Sequence, residues 1–283
     1  MVVKGEHPAN ESGEIVIVPP RGLPMPRLRE TGGNLGLLWF FVLRDVKSRY
    51  SQTLLGIGWA VLQPLLTTLI FWAVFGHVIH VPTGRASYPL FALAGLCIWN
   101  LFSQGMTGAA GSVLANQNQV TKIYFPRLII PLAAVAVTLL DFAISLVLLV
   151  IVAVATGSGL GGPLLLAPLF VLLAAAVATG VGSALGALNV LYRDVRHLVG
   201  FLAQLWLVAT PVAYPASLIP DRWRWLAGLN PMAGIVEGFR WSVLGTPAPD
   251  MMLLVTSAAT SVVVLIVGVM LFSALEDRFA DVI

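Results

Sequence analysis

Long apolar blocks separated by short polar segments make up the chain after residue 33. From residue 51 to 192, only four side chains carry a formal charge: Arg85, Lys122, Arg127 and Asp141. A soluble domain of this length has about a quarter of its residues charged, whereas a bilayer-crossing helix needs about 20 apolar residues. The pattern therefore predicts an all-α polytopic membrane protein with about six transmembrane helices. The predicted spans are 54–79, 88–114, 128–155, 164–190, 198–214 and 251–275.

Two segments before the first span have a different pattern. Residues 1–33 are rich in proline and glycine and lack both a helical period and the apolar core of a signal peptide, so they predict a flexible cytosolic tail. Residues 35–50 place Leu38, Trp39 and Val42 on one arc of a helix, with Arg44 and Lys47 opposite. This predicts an amphipathic helix in the plane of the membrane interface. A simple extension of the first span is the alternative. Residues 34–283 then form one transmembrane domain.

Residues 216–244 fit neither a span nor a solvated loop. Glu237 and Arg240 make the segment too polar to cross the membrane, and its tryptophans are typical of an interface. We predict two short re-entrant helices on the outer side, hinged at Asn230-Pro231, because proline has no amide hydrogen and disfavours helix at the preceding residue. A surface loop is the alternative. Glu237 and Arg240 are three positions apart, so they either pair with each other or present polar groups to a substrate.

Composition and charge support the membrane assignment and set an orientation. Hydrophobic residues make up 58% and charged residues 10% of the chain, and the mean hydropathy is +0.91. The basic residues stand singly at the ends of apolar blocks rather than in a patch, which argues against nucleic acid as a partner. Eight of them fall at one set of ends and four at the other. The richer side is cytoplasmic by the positive-inside rule, so both termini are predicted to be cytoplasmic.

Several kinds of chemistry are excluded by the residues themselves. No lysine follows a glycine, so the chain has no Walker A loop for ATP. No H-E-x-x-H or paired-cysteine metal spacing occurs, His77 and His80 alone are a weak metal signal, and the single Cys97 is interpreted as a packing residue. Asp141 lies inside a span and has two interpretations. One is a proton relay; the other, which we favour, is a hydrogen-bonded structural residue near Thr138 and Ser145.

Small residues recur at helical spacing in two of the spans. Gly182 and Gly186 are four positions apart in one, and Gly105, Gly108 and Gly111 follow each other at intervals of three in another. Small residues let two helix backbones approach closely in a membrane. Both sets are therefore predicted to be helix-packing faces.

The polar motifs resemble those of ABC-2 type permeases that export polysaccharides, including O-antigen, capsule and teichoic-acid transporters. The resemblance runs in order from about residue 35 to 275 and is carried by short motifs at the ends of the spans. These are Arg44-Asp45-Val46-Lys47-Ser48-Arg49-Tyr50, Leu55-Gly56-Ile57-Gly58-Trp59, Leu62-Gln63-Pro64, Lys122-Ile123-Tyr124-Phe125-Pro126-Arg127, Tyr192-Arg193-Asp194-Val195, Pro211-Val212-Ala213-Tyr214 and Leu229-Asn230-Pro231-Met232.

The resemblance implies a permease subunit that is not itself an enzyme. Two copies would form a homodimer around a channel in the bacterial cytoplasmic (inner) membrane, and a separate ATPase subunit would bind ATP and Mg²⁺, so this chain needs no cofactor and no metal. The substrate would be a lipid-linked glycan. A drug or small-lipid exporter of the same fold, and a proton-coupled secondary transporter using Asp141, are the alternatives.

Three groups of candidate site residues follow. A coupling helix at about 116–125 would contact the ATPase, together with nearby polar residues; this group comprises Arg44, Asp45, Lys47, Asn118, Lys122, Tyr124, Phe125, Arg127, Arg193 and Asp194. Aromatic faces suit the rings of a glycan, and the candidates for a channel lining are Trp59, Trp72, Phe75, Trp99, Phe102, Trp206 and Tyr214. The outer gate group is Pro211, Asn230, Pro231, Glu237 and Arg240.

Overall fold

The computed structural model describes residues 32–51, 56, 58–84, 86–122, 125–157 and 161–279. The first 31 residues of the predicted tail, the start of the first predicted span and Tyr124 of the predicted coupling helix lie outside this range. The described part of the chain is all-α. Its helices are α1 Leu35–Tyr50, α2 Gly58–Phe71, α3 Tyr88–Ala115, α4 Gln117–Lys122, α5 Ile129–Ala155, α6 Ala167–Leu191, α7 Val195–Ala209, α8 Asp221–Leu229, α9 Pro231–Leu244 and α10 Met251–Leu275.

Five helical segments are long and apolar enough to cross a membrane. They are Gly58–Val78, Tyr88–Ala115, Ile129–Ala155, Leu164–Leu191 and Met251–Arg278, in agreement with five of the six predicted spans. The first of them is α2 continued by a π-helical segment, Trp72–Val78. The fourth begins with a short 3₁₀ turn before α6.

The predicted fifth span, 198–214, needs correction. Helix α7 begins at Val195 and ends at Ala209, so its 15 residues extend over only about 22 Å, less than the roughly 30 Å of a bilayer core. Thr210 is extended (φ −102°, ψ 138°). Pro211 explains this, because a proline disfavours helical geometry at the residue before it. The sequence predicts a helix to residue 214 that is weakened at its end by Pro211 and Pro215.

Helix α3 is the centre of the bundle, and close helix crossings surround it. A β-carbon built on Gly182 of α6 would lie 2.6 Å from the β-carbon of Ala109 in α3. Gly186 faces the backbone of the same helix, and Gly105 lies against Ala178. These glycines therefore form the predicted packing faces. A β-carbon on Gly111, in contrast, would meet no other described residue within 4 Å, so Gly111 does not lie at a close contact with another described helix of this chain.

Helix α1 runs lengthwise along the first half of α5. Phe41 packs with Ile129 and Ala133, and the end of α1 reaches Asp141, about three turns further along α5. The apolar arc predicted for α1 is divided between two environments. Leu38 and Val42 pack on α5, whereas Leu35, Trp39 and Leu43 are exposed.

Helices α8 and α9 are the two short helices predicted within residues 216–244, and we call them the re-entrant pair after that prediction. The chain turns at Asn230, whose backbone is extended and whose side chain accepts a hydrogen bond from the amide of Met232 at the start of α9. This is a helix N-cap followed by a proline at the first helical position. Helix α9 is buried along almost its entire length, whereas α8 exposes Trp223 and Trp225. The break therefore lies where the sequence predicted it.

Candidate functional sites at the two ends of the bundle

Helix α4 presents polar side chains outward at the end of the bundle where α3 meets α5. It is six residues long, shorter than the predicted 116–125. Val120 is buried and packs with Val113 of α3 and Val190 of α6. Asn118 and Lys122 are exposed. A short helix held by one apolar anchor, with an exposed polar face, can transmit the movement of a docked partner to the spans on either side.

An aromatic and cationic cluster joins the α4 region to α1. The ring of Phe125 lies 5.8 Å from the ring of Phe41, and the guanidinium of Arg44 lies 4.7 Å from the centre of the Phe41 ring. Arg44 also pairs with Asp45 at 2.6 Å and lies 3.3 Å from the side-chain amide of Gln119 in α4. Three predicted coupling residues, Arg44, Asp45 and Phe125, are thus brought together.

The other predicted coupling residues have different surroundings. Arg127 donates to the carbonyl of Glu276, and its guanidinium lies 5.8 Å from the ring of Phe279. It therefore binds the end of α10 and does not form part of an open surface. Lys47, Arg193 and Asp194 are exposed. Among the described residues, Arg193 and Asp194 make no hydrogen bond or ion pair with α1 or α4, although they follow α6 at the same end of the bundle.

Asp141 joins the end of α1 to the middle of α5. Its carboxylate accepts hydrogen bonds from Arg49, at 2.5 Å, and from the hydroxyl of Tyr50. Arg49 also donates to the side chain of Gln104 at 2.9 Å. Burial and the Asp141 hydrogen bond raise the pKa of Tyr50 to about 12. Because this pKa is raised above its usual value, the protonated Tyr50 hydroxyl contributes to the free energy of unfolding. The contribution is complete below about pH 10 and is lost between about pH 10 and 12.

This geometry supports the structural interpretation of Asp141 over a proton relay. An Asp141→Asn variant retains an oxygen that can accept from Tyr50 and Arg49, so we expect normal membrane levels and nearly normal transport. Asp141→Leu removes both acceptor oxygens and should reduce the folded fraction, because the hydrogen bonds from Arg49 and Tyr50 that join α1 to α5 are lost. Transport by both variants, normalised to protein level, checks this. Loss of transport in Asp141→Asn at a normal protein level would restore the proton-relay interpretation.

The aromatic channel candidates fall into two sets. Trp99 and Phe102 are 4% and 0% exposed, and Phe102 packs edge-on against Trp206 with ring centres 4.9 Å apart. In this conformation Trp99 and Phe102 are core residues and not part of an open lining, because the large apolar rings fill the contact between α3 and α7. Trp59 and Trp72 are exposed, whereas Phe75, Trp206 and Tyr214 are half-buried.

Arg240 of α9 is the most deeply buried charged side chain that the structure describes. It is 0% exposed and donates to the carbonyls of Phe91, at 3.1 Å, and of Pro211, at 2.7 Å, and also to that of Val212. Its guanidinium lies 3.7 Å from the centre of the Phe91 ring. Gly95 of α3 leaves the space that this guanidinium occupies. Arg240 therefore holds the segment after α7 against α3 and α9.

Glu237 and Tyr88 complete this arrangement, which we call the Arg240 bracket. Glu237 lies 3.4 Å from Arg240 and accepts a hydrogen bond from the amide of Ala216 at 2.9 Å. The hydroxyl of Tyr88 donates to the carbonyl of Ala213 at 2.8 Å. Of the two alternatives that the sequence leaves open, the Glu237–Arg240 pair is formed in the structure, and it is buried.

Asn230 connects the turn between α8 and α9 to α7. Its side chain accepts from the indole of Trp206 at 2.8 Å and donates to Thr210 at 3.0 Å. The turn of the re-entrant pair is therefore attached to the same segment that the Arg240 bracket holds. A movement of α7 would therefore displace this turn through the hydrogen bonds of Asn230.

The family model for the ABC-2 type transporter matches residues 36–244. The chain belongs to this family. The match covers α1, the α4 cluster and the re-entrant pair, so every candidate site described above lies within the ABC-2 region. Helix α10 follows it.

Curated relatives of this ABC-2 chain are exporter subunits. It is 32% identical over 258 residues to the O-antigen export system permease protein RfbA of Myxococcus xanthus, covering 90% of this chain and 98% of that protein. A protein of the same name from Klebsiella pneumoniae is 28% identical, covering 88% and 97%. The polysialic acid transport protein KpsM of Escherichia coli is 25% identical over 241 residues, covering 83% and 92%.

Sequence reasoning on this ABC-2 chain missed the partners of Asp141 and the backbone carbonyls that bind Arg240. The absence of a buried basic residue in the spans was itself a signal that the partner of Asp141 would come from α1. No sequence pattern indicated that Arg240 binds backbone carbonyls, because every residue has a backbone carbonyl whatever its side chain.

Proposed function

We propose that this chain is the permease subunit of an ATP-driven exporter of lipid-linked polysaccharide in a bacterial cytoplasmic membrane. The observation that carries the proposal is the match to an O-antigen export permease over 90% of this chain and 98% of that protein. A match of this extent includes both ends of the bundle. The exposed aromatics Trp59 and Trp72 are compatible with a substrate made of sugar rings.

The energy source in this proposal is a separate ATPase subunit. The chain has no Walker A sequence, so ATP and Mg²⁺ would be bound by the partner. The exposed face of α4, with Asn118 and Lys122, is the docking surface that we assign to it. Val120 on the opposite face of α4 and the Phe125–Phe41 contact would carry the movement of the ATPase into α3, α5 and α1.

A homodimer is the second part of the assembly. Helix α2 buries little of its surface within the single chain, and its exposed side chains include Leu66, Leu69 and Ile70. This apolar face is available to lipid or to a second copy. A single permease chain with a nearly unpacked first span suits one half of a transporter.

The coupling assignment predicts a loss of complex formation in Lys122→Glu. A reversed charge at a docking hot spot costs about 2 kcal/mol or more, so co-purification with the ATPase and export should both fall at least tenfold. Arg222→Glu is the matched control, because Arg222 is also exposed but lies on α8 at the opposite end. The purified chain alone should not hydrolyse ATP. Normal co-purification and export by Lys122→Glu would show that α4 is not the docking surface.

The orientation predicts that both ends of the re-entrant pair face the cell exterior, with both chain termini in the cytoplasm. On a Cys97→Ser background, single cysteines at the exposed positions 222 and 248 should react with an impermeant thiol reagent added to intact cells. A cysteine at Asn118 serves as the control and should react only after the cells are opened. If 222 and 248 react from opposite sides, the segment crosses the membrane and the topology is wrong.

A further inference from the structure

A cavity of about 380 Å³ lies at the outer end of the bundle, beside the Arg240 bracket. Its walls come from the loop before α3, from the segment after α7, from α8 and from the connection between α9 and α10. Its volume falls in the range of small-ligand sites, roughly 300–1,000 Å³. None of the roles described so far uses this cavity.

Two polar side chains at the cavity have hydrogen-bonding capacity that the described residues do not use. Thr246 is 8% exposed, and its hydroxyl has no hydrogen-bond partner. Both contacts of Glu237 in this part of the chain go to Oε1, which leaves Oε2 to accept another hydrogen bond. A buried hydroxyl without a partner costs about 1–3 kcal/mol, so its presence points to a ligand that supplies one.

The remaining lining is mostly apolar, with Thr83, Ser217 and Asp250 as its other polar residues, and it carries no described positive charge. Phe91 and four prolines, at positions 82, 215, 247 and 249, make up much of the wall. The ionisable lining residues that the structure describes are the carboxylates of Glu237 and Asp250. Apolar walls with a few hydrogen-bonding groups fit one sugar ring, whose flat faces are apolar and whose edge carries hydroxyls. Carboxylates accept bonds from hydroxyl or ammonium groups and repel an acidic sugar.

We propose that this cavity is an outer-side binding site for one neutral or amino-sugar unit of the exported glycan, with Glu237 Oε2 and the Thr246 hydroxyl as its hydrogen-bonding groups. The inference rests on the proposed function, since the sugar would be part of the transported chain. A sugar unit bound in this cavity would already have passed the re-entrant pair on its way out of the transporter. The site would also make the transporter selective against acidic sugars.

The test uses the complete permease–ATPase complex in lipid nanodiscs. Methyl glycosides of glucose, glucosamine and glucuronic acid serve as neutral, amino and acidic probes, and saturation-transfer NMR reports binding. Thr246→Val removes the hydroxyl at nearly constant volume, so the neutral and amino-sugar signals should fall at least threefold. Its melting temperature should stay the same or rise, because an unpaired buried hydroxyl has been removed. Thr260→Val, the same change on α10 outside the cavity, should bind as the natural protein does.

Each outcome decides between distinct conclusions. Equal signals from Thr246→Val and the natural protein, or a strongest signal from the glucuronide, would overturn the sugar site. A lowered melting temperature in Thr246→Val together with lost binding would indicate a structural role and would also overturn it. Polysaccharide export by the natural complex is measured in parallel. Absence of export overturns the proposed function, whereas export without probe binding overturns only this inference.

Discussion

Arg240→Ala is expected to remove most of the folded protein from the membrane. The variant leaves three backbone carbonyls, those of Phe91, Pro211 and Val212, without their donor and leaves Glu237 without its cation. Removing one partner of a buried pair costs about 3–5 kcal/mol. A typical domain is stable by only about 5–15 kcal/mol. The loss therefore takes a large share of the total.

The measurement is the melting temperature and the monodisperse yield of the detergent-solubilised protein. Arg222→Ala is the matched control, because Arg222 is exposed on α8 and should be nearly neutral. Arg240→Lys should recover only part of the loss, because an ammonium group cannot reach carbonyls in the three directions that the guanidinium serves. If Arg240→Ala melts at the same temperature as the natural protein, the Arg240 bracket does not stabilise this end of the bundle.

Gly268→Ala is expected to be the second most damaging change, although it adds a single methyl group. A β-carbon at Gly268 of α10 would overlap the carbonyl oxygen of Gly180 in α6 and would lie 2.8 Å from the Gly180 α-carbon. The obstacle is backbone, so no side-chain rotation can relieve it. Overpacking of this kind costs about 1–3 kcal/mol. The two helices must then move apart along their whole contact.

Gly111→Ala makes the same substitution at a position of α3 where the added β-carbon would meet no other described residue within 4 Å. It should be neutral or stabilising by up to about 1 kcal/mol, because alanine favours helix over glycine. Comparing the melting temperatures of the two variants therefore separates the effect of the close α6–α10 contact on stability from the effect of helix propensity. Equal melting temperatures for the two variants would contradict the close crossing.

Part of the candidate sites could be predicted from local chemistry. The break at Asn230 follows from Pro231 alone, because the missing amide hydrogen and the steric restriction act between neighbouring residues. The position of α4 between two spans, with an exposed Lys122, also follows from the short polar segment that separates two apolar blocks. The channel aromatics could not be sorted in this way. Trp99 and Trp59 have the same side chain, and only the packing buries one and exposes the other.

The sequence by itself determined the class of the protein, the order and approximate ends of its helices, and its likeness to polysaccharide export permeases. These depend on apolar runs about as long as a bilayer is thick and on motifs that are local in the chain. Only the tertiary structure decided that Asp141 pairs with α1 and that Arg240 is buried among carbonyls. Each of these contacts joins residues that are far apart in the chain. Apolar patterning places a helix in the membrane but does not specify which neighbour meets each of its polar groups.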